Sequence, residues 1–169
     1  MSPVPASLHP VLLSATSGLA GATVMTLVTK VEQKITGRPN SFVPAHTLGR
    51  LLGLRSPDSD SVLRNWAMHY GTGVSVGVLR GIMAHANLRG PAASLLFTGV
   101  RLSVDQTLEN GTGAGAPPPT WPRDELAIDV MGKAVYAFAT GAVADALISP
   151  RKGSSAERRG LGLRMKGFS

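Results

Sequence analysis

The chain has 169 residues, a length that suits one domain. Hydrophobic residues make up 43% of it and charged residues only 16%, which excludes a disordered polyelectrolyte of low hydrophobicity and high charge. The chain contains no Cys, which excludes a disulfide scaffold, a thiolate metal site and a cysteine nucleophile. A small apolar chain with few charges indicates a multi-helix membrane protein.

The net charge of +7 comes mostly from two blocks of basic residues. Aromatic residues are not interleaved with them and no recognition motif is present, so the charge predicts no nucleic-acid partner. Basic segments beside apolar ones are typical of contact with anionic lipid headgroups. We therefore expect the basic loop and the basic tail to bind the lipid bilayer surface. The blocks are Lys30, Lys34, Arg38, Arg50, Arg55 and Arg64 in the loop, and Arg151, Lys152, Arg158, Arg159, Arg164 and Lys166 in the tail.

Residues 1–29 contain no Asp, Glu, Lys or Arg. Within this region, about 10–30 has the length of a helix that spans a bilayer. The stretch lacks the basic start of a secretory signal and the Arg of a mitochondrial transit peptide. A buried helix of a soluble bundle would normally show a charged outer face, and its absence favours a transmembrane helix.

The charged stretch that follows predicts a loop outside the membrane, with a short helix opened by Pro44. This short helix either lies at the membrane surface or packs on the bundle. The second long helix is predicted at about 62–86, with Asp58 or Asp60 capping its start. Trp66 and Tyr70 are four residues apart on it, and both are placed as anchors at the membrane interface.

Two more helices are predicted, at about 91–109 and 122–148, separated by a loop rich in Gly and Pro. Residues 1–150 are therefore expected to form a single all-α domain, a polytopic membrane helical bundle of about four helices. The basic tail, 151–169, is predicted to be disordered. If both basic blocks face the same side, an even number of crossings must separate them. Either the third helix spans only in part, or the tail crosses despite its charge.

Small residues recur at intervals of four on three of the predicted helices. In lipid, such seams let helix backbones approach closely. Glycines inside an exposed soluble helix would each cost about 1 kcal/mol relative to Ala. The pattern therefore predicts tight helix packing at Gly73, Gly77 and Gly81 on the second helix, Gly18 on the first and Gly141 on the fourth.

Polar residues form a stripe at helical spacing on each of the last two helices. The third helix carries Arg101, Asp105 and Glu109, and the fourth carries Asp129, Lys133 and Tyr136. Charges at membrane depth are costly, so the stripes should face the bundle interior and pair. Two interpretations remain open. The stripes form either an ion path or polar pocket, or a structural network of ion pairs at the membrane rim.

No motif for catalysis, metal binding or phosphate binding is present. His69 and His85 lie sixteen residues apart on the second helix, about 24 Å along its axis, too far apart to share one metal ion. His69 is better interpreted as a packed polar residue than as a ligand. The sequence therefore predicts no catalytic residue, no metal site and no cofactor.

Three stretches carry a resemblance to other proteins: residues 36–48, 105–117 and 133–145. They resemble stretches of a functionally uncharacterised family of small microbial multi-helix membrane proteins. The resemblance covers about 11–148 and implies the same helical membrane architecture. It implies no activity, cofactor or catalytic residue.

The sequence thus predicts an integral membrane protein that works as a non-enzymatic membrane component. A first alternative is a small ion, proton or solute transporter or channel subunit that uses the two polar stripes. The small size would then favour a homo-oligomer. Further alternatives are a membrane-embedded enzyme with His69 or Asp105 as its acid–base residue, and a soluble helical bundle.

Overall fold

The computed structural model describes residues 8–149, and this part of the chain is all-helical, with five α-helices and no strand. The predicted disorder of 151–169 and the lipid contacts of that tail lie outside the described residues. The loop before the last helix contains one short 3₁₀ turn, at Pro118–Thr120. The helices are α1 (Leu8–Thr36), α2 (Val43–Leu51), α3 (Val62–His85), α4 (Gly90–Gly111) and α5 (Arg123–Leu147).

α1 is longer than the predicted 10–30, because its last charged turns continue the helix. It ends where Gly37 adopts a positive φ of 73° and its N–H donates to the carbonyl of Gln33. This conformation is the one that glycine allows at a helix C-terminus. Along α1, the hydroxyls of Ser14 and Ser17 donate to carbonyls one turn back, which satisfies them inside an apolar helix.

α3 begins with Ser61 as its cap, so the prediction that Asp58 or Asp60 would cap it is wrong. The Ser61 hydroxyl accepts the backbone N–H of Arg64 at 3.3 Å. The two aspartates contact side chains of α2 instead: Asp58 pairs with Arg50 at 2.8 Å, and an Asp60 carboxylate oxygen lies 2.9 Å from His46 Nε2. Side chains of α2 thus bind the two carboxylates that the local sequence predicted as caps of α3.

α1 runs antiparallel to α3 and to α5, and α4 runs antiparallel to α5, whereas α3 and α5 run parallel to each other. α1 lies between α3 and α5, α4 packs chiefly on α5, and α2 packs on α3. We call the end that carries α2 the α2 end. The opposite end, where residues 86–89 join α3 to α4, is the turn end. The apolar core between them is small and consists of Ala22, Val76, Phe97, Tyr136 and Ala137.

Two helices of the described residues are long and apolar enough to cross a membrane: α1 over Pro10–Thr36 and α5 over Arg123–Leu147. The predicted helical bundle is confirmed, whereas the predicted membrane crossings are supported for two of the four long helices. α4 falls short because Arg101, Asp105 and Glu109 interrupt its apolar sequence. Length and composition alone do not separate a membrane helix from the core helix of a soluble protein.

Candidate functional site

The five glycines that the sequence assigned to helix packing all lie at helix contacts. A Cβ added to Gly77 would lie 2.8 Å from the backbone nitrogen of Gly18, and one added to Gly73 would lie 2.8 Å from the Cβ of Ala22. We call this contact between α1 and α3 the glycine seam. Gly81 faces Ser14 near the turn end, and Gly141 faces Ser94 and Arg80.

A further glycine at a close contact between two long helices was not singled out from the sequence. Gly21 lies three residues after Gly18, on the side of α1 that faces α5. A Cβ placed there would lie 2.8 Å from the carbonyl oxygen of Tyr136. α1 therefore uses small residues against both of its neighbours, and the spacing of three between the two glycines was the available signal.

The polar stripes of α4 and α5 meet inside the bundle. Asp105 Oδ2 lies 3.0 Å from Arg101 Nε and 3.6 Å from Lys133 Nζ. Lys133 also pairs with Asp129, one turn earlier on its own helix. The Arg101 and Lys133 residues are each only 3% exposed. We call these four residues the Asp105 cluster.

Tyr136 connects the Asp105 cluster to α3. Its ring lies under the guanidinium of Arg101, whose Cζ is 4.6 Å from the ring centroid, a cation–π geometry. Its hydroxyl donates to the carbonyl of Gly73 at 2.5 Å. Arg101 Nη2 also donates to Thr72 Oγ1 at 3.3 Å. Three helices are therefore held together around one buried guanidinium.

Two atoms of the Asp105 cluster have no hydrogen-bond partner within the described residues. They are Arg101 Nη1, a cationic donor, and Asp129 Oδ2, an anionic acceptor. Most buried polar atoms in native proteins are hydrogen-bonded, and each exception needs an explanation such as a bound molecule.

Glu109 lies one turn beyond Asp105, in the last turn of α4 and past the apolar half of that helix. The region of the chain that the structure describes offers its carboxylate no ion pair within 4 Å. Burial raises the pKa of Glu109 to about 7, against an opposing effect of Lys133. The carboxylates of Asp105 and Asp129 also raise the pKa of Glu109, and the guanidinium of Arg101 lowers it. This carboxyl is therefore partly protonated near neutral pH.

A cavity of about 730 Å³ opens at the α2 end above the Asp105 cluster. All five helices contribute to its wall, together with the loops at 38–42 and 114–122. His69 lies in the wall, where its Nε2 is 3.0 Å from Thr26 Oγ1. Trp66 and Trp121 line the wall near the opening. His85 is exposed and far from this cavity, so the two histidines serve no common site.

A second buried ion pair, which the sequence did not reveal, lies at the turn end. Arg80 is fully buried, and its Nη2 is 2.9 Å from Asp145 Oδ2. The same carboxylate oxygen accepts the backbone N–H of Gly90 at 2.9 Å. Arg89 donates to the carbonyls of Asp145 and Ala84, at 2.7 and 3.1 Å. We call Arg80, Arg89 and Asp145 the Asp145 cluster.

A signal for the Asp145 cluster was present in the sequence. Arg80 is the one formal charge between residues 65 and 88, and an isolated charge in an apolar helix needs a partner. The partner lies 65 residues away, which no helical spacing could indicate. Arg80 Nε and Asp145 Oδ1 also lack partners in the described residues. The cavity does not reach them.

Within residues 8–149, no group of three His, Asp or Glu side chains is placed to hold a metal ion. No protein-family model, curated protein or solved structure matches the chain.

Proposed function

We propose that this chain is an integral membrane protein, a non-enzymatic component whose helical bundle lies within the lipid bilayer. The observation that carries the proposal is the distribution of side chains between interior and surface. Buried positions hold Arg80, Arg101 and Lys133, whereas large apolar side chains are exposed along the long helices. The exposed apolar residues include Leu12, Leu19, Leu27, Leu79, Ile82, Leu95, Leu96 and Phe138.

This distribution of charged residues inside and apolar residues outside is the reverse of the one found in water-soluble proteins. In water, apolar side chains are driven inward, and Arg and Lys are almost never fully buried. In lipid, the surface gains nothing from hiding apolar groups, so helices associate through small residues and polar contacts. Charged side chains then turn inward and pair. The glycine seam and both ion-pair clusters match the contacts expected between helices in lipid.

The antiparallel bundle suggests four crossings, although α1 and α5 alone have the apolarity of independent spans. The charges of α4 face α5, so its lipid-facing side retains Leu95 and Leu96. Four crossings place the loop at 37–61 and the turn at 86–89 on opposite sides of the membrane. They also place the basic loop and the basic tail on opposite sides, so the tail crosses despite its charge.

The basic loop is proposed to contact anionic lipid headgroups. Within it, Arg38 pairs with Glu32 and Arg50 with Asp58. Lys34 on the last turns of α1 and Arg55 in the loop are both exposed and lie outside these two ion pairs, so both are placed to meet headgroups.

Two measurements test the membrane proposal. After alkaline carbonate washing, the protein should remain in the membrane pellet and require detergent for release. Because the chain has no Cys, single cysteines at Ser59 and Ala86, both exposed, can be labelled without background. In sealed vesicles, an impermeant maleimide should label one position and spare the other until the membrane is opened. Recovery of a monodisperse soluble monomer would falsify the proposal.

A second candidate function, a small ion, proton or solute transporter or channel subunit, is favoured by one observation. Buried polar side chains continue from the Asp105 cluster towards the Asp145 cluster: Thr98 and Ser94 on α4, and Thr140 on α5. Ser94 and Arg80 converge on Gly141, which brings this polar column to the turn end. In a membrane, such a column marks a path that ions or protons could follow.

Flux into liposomes separates the two candidates. Purified protein is reconstituted into vesicles that contain a pH-sensitive dye, and an ion gradient is applied. A transporter should acidify or alkalinise the interior faster than empty vesicles do. Lys133→Met should abolish that flux, and Lys34→Met, an exposed control on α1, should preserve it. A rate equal to that of empty vesicles favours the non-transporting component.

A further inference from the structure

The wall of the cavity carries charges of both signs. Four cationic and four acidic side chains line it, with Arg101 and Lys133 among the first and Asp105 and Asp129 among the second. A ligand with one charge would lose its hydration in such a cavity without a net opposite charge to replace it. A ligand that carries both signs can meet a partner for each.

The Asp105 cluster is ordered as an alternating row of charges: Asp129, Lys133, Asp105 and Arg101. The two inner members bind their neighbours on both sides. The two outer members each keep one unpaired atom, Arg101 Nη1 at the cationic end and Asp129 Oδ2 at the anionic end. The Arg101 side chain is 97% buried, since only 3% of it is exposed. Both residues line the cavity, so the row leaves one donor and one acceptor of opposite charge without a partner beside it.

The size and rim of the cavity suit a small polar molecule. Its volume of about 730 Å³ falls within the roughly 300–1,000 Å³ of small-molecule sites. Trp121 is held at the rim by a hydrogen bond from its indole N–H to the carbonyl of Ala116 at 2.8 Å. Trp66 stacks on Tyr70 with ring centroids 5.4 Å apart. Fixed indole faces attract cations such as ammonium groups.

We propose that the cavity binds a small zwitterion, whose oxyanion is held by Arg101 and whose ammonium group is held by Asp129. The oxyanion is a carboxylate or a phosphate, because a guanidinium matches the oxygens of both. The zwitterion is either a free solute or the headgroup of an aminophospholipid that enters from the α2 end. The inference goes beyond the membrane proposal and does not depend on it, since the site exists in the isolated fold.

Binding is measured on the full-length chain in detergent, by calorimetry and by thermal shift. The probes are γ-aminobutyrate and phosphoethanolamine. Butyrate, inorganic phosphate and ethanolamine are the single-charge analogues, because each carries charge of one sign only. The zwitterions should bind about tenfold more tightly than any single-charge analogue, because one more charge-assisted hydrogen bond is made. Equal binding of all five compounds overturns the proposal. Binding of none of them also overturns it, unless phosphatidylethanolamine in vesicles protects the site.

The variant Asp129→Asn keeps the shape of the site and removes the charge that the ammonium needs. It should reduce zwitterion affinity about tenfold and should not reduce the affinity for phosphate. Asp124→Asn is the matched control, since Asp124 is exposed on the same helix and does not line the cavity. An unchanged zwitterion affinity in Asp129→Asn contradicts the assignment.

A second measurement does not require altering the Asp105 cluster. Ser41 is exposed and lines the cavity, so Ser41→Cys places a single thiol there. The zwitterions should slow its reaction with maleimide several-fold, whereas the single-charge analogues should not. If free zwitterions have no effect, the chain is tested in vesicles of phosphatidylglycerol with and without phosphatidylethanolamine. Slowing that depends on phosphatidylethanolamine assigns the site to a lipid headgroup, and no slowing in either arm overturns the proposal.

Discussion

The two ends of the bundle contain the same chemistry in different surroundings. Each end holds a nearly or fully buried arginine paired with an aspartate: Arg101 with Asp105 at the α2 end, and Arg80 with Asp145 at the turn end. At the turn end, Asp145 and Arg89 also bind backbone groups of the adjoining helix ends. At the α2 end, the ion pair faces a cavity of about 730 Å³.

The lengths of the connections account for this difference. At the turn end, α3 and α4 are joined by residues 86–89 alone, so their ends are forced together. Asn87 and Gly90 both adopt positive φ to make that turn. At the α2 end, the connections are 37–61 and 112–122, long enough to let the helix ends stand apart. The comparison indicates that one ion pair clamps the bundle while the other remains available to a ligand.

The largest expected effect is at the turn end. Asp145→Asn leaves Arg80 charged and fully buried without its partner, a change that typically costs about 3–5 kcal/mol. We expect a severe loss of folded protein, measured by denaturant unfolding in detergent. Asp60→Asn is the control, because the Asp60 pair with His46 is exposed and should contribute at most about 1 kcal/mol. Equal stability of both variants would mean that the turn end is not clamped by this pair.

A smaller loss is expected at the α2 end. Asp105→Asn removes the charge that Arg101 and Lys133 share, and the charge-assisted hydrogen bond from Arg101 Nε is worth roughly 1.5–3 kcal/mol. Asp129 remains beside Lys133 as a second carboxylate and still neutralises one of the two cations. The free energy of unfolding of Asp105→Asn should therefore lie between those of the wild type and Asp145→Asn. A loss at Asp105 that exceeds the loss at Asp145 reverses the proposed division between the ends.

The glycine seam lies between the two ends and should affect both. Gly77→Ala places a methyl group against the backbone of Gly18 and should cost about 1–3 kcal/mol through overpacking. Gly71→Ala, six residues earlier on the same helix, meets nothing within 4 Å. It should stabilise the protein by up to about 1 kcal/mol, because Ala is the better helix former. Thermal unfolding checks the opposite signs, and the same sign in both variants contradicts the seam.

The smallest effect concerns pH and belongs to the α2 end alone. The pKa of Glu109 is raised to about 7 from an ordinary 4.5, chiefly by burial. The folded protein therefore binds this proton more tightly than the unfolded chain does, and stability falls as pH rises from about 4.5 to about 7. Above that range, the loss from this group is complete. Melting temperatures across the range should show the decline, and Glu109→Gln should reduce it.

Local sequence was sufficient for much of the helical architecture. Uncharged stretches broken by Gly and Pro predicted the long helices, because backbone conformation responds to nearby residues. The period of 3.6 residues placed Arg101 and Asp105 on one face of α4, and Asp129 and Lys133 on one face of α5. The start of α3 was less predictable. Asp58 and Asp60 satisfied the local rule for a cap, but both bind side chains of α2 instead.

Tertiary structure decided which charged faces meet and where space remains between them. Asp105 is shared between α4 and α5, and Arg80 finds Asp145 on another helix, because the order of helix packing brings these faces together. No period within one helix carries that information. The cavity likewise depends on α2 and two loops that hold the helix ends apart. The sequence by itself determined which residues share a helix face, whereas only the packed bundle decided which face became a clamp and which became a site.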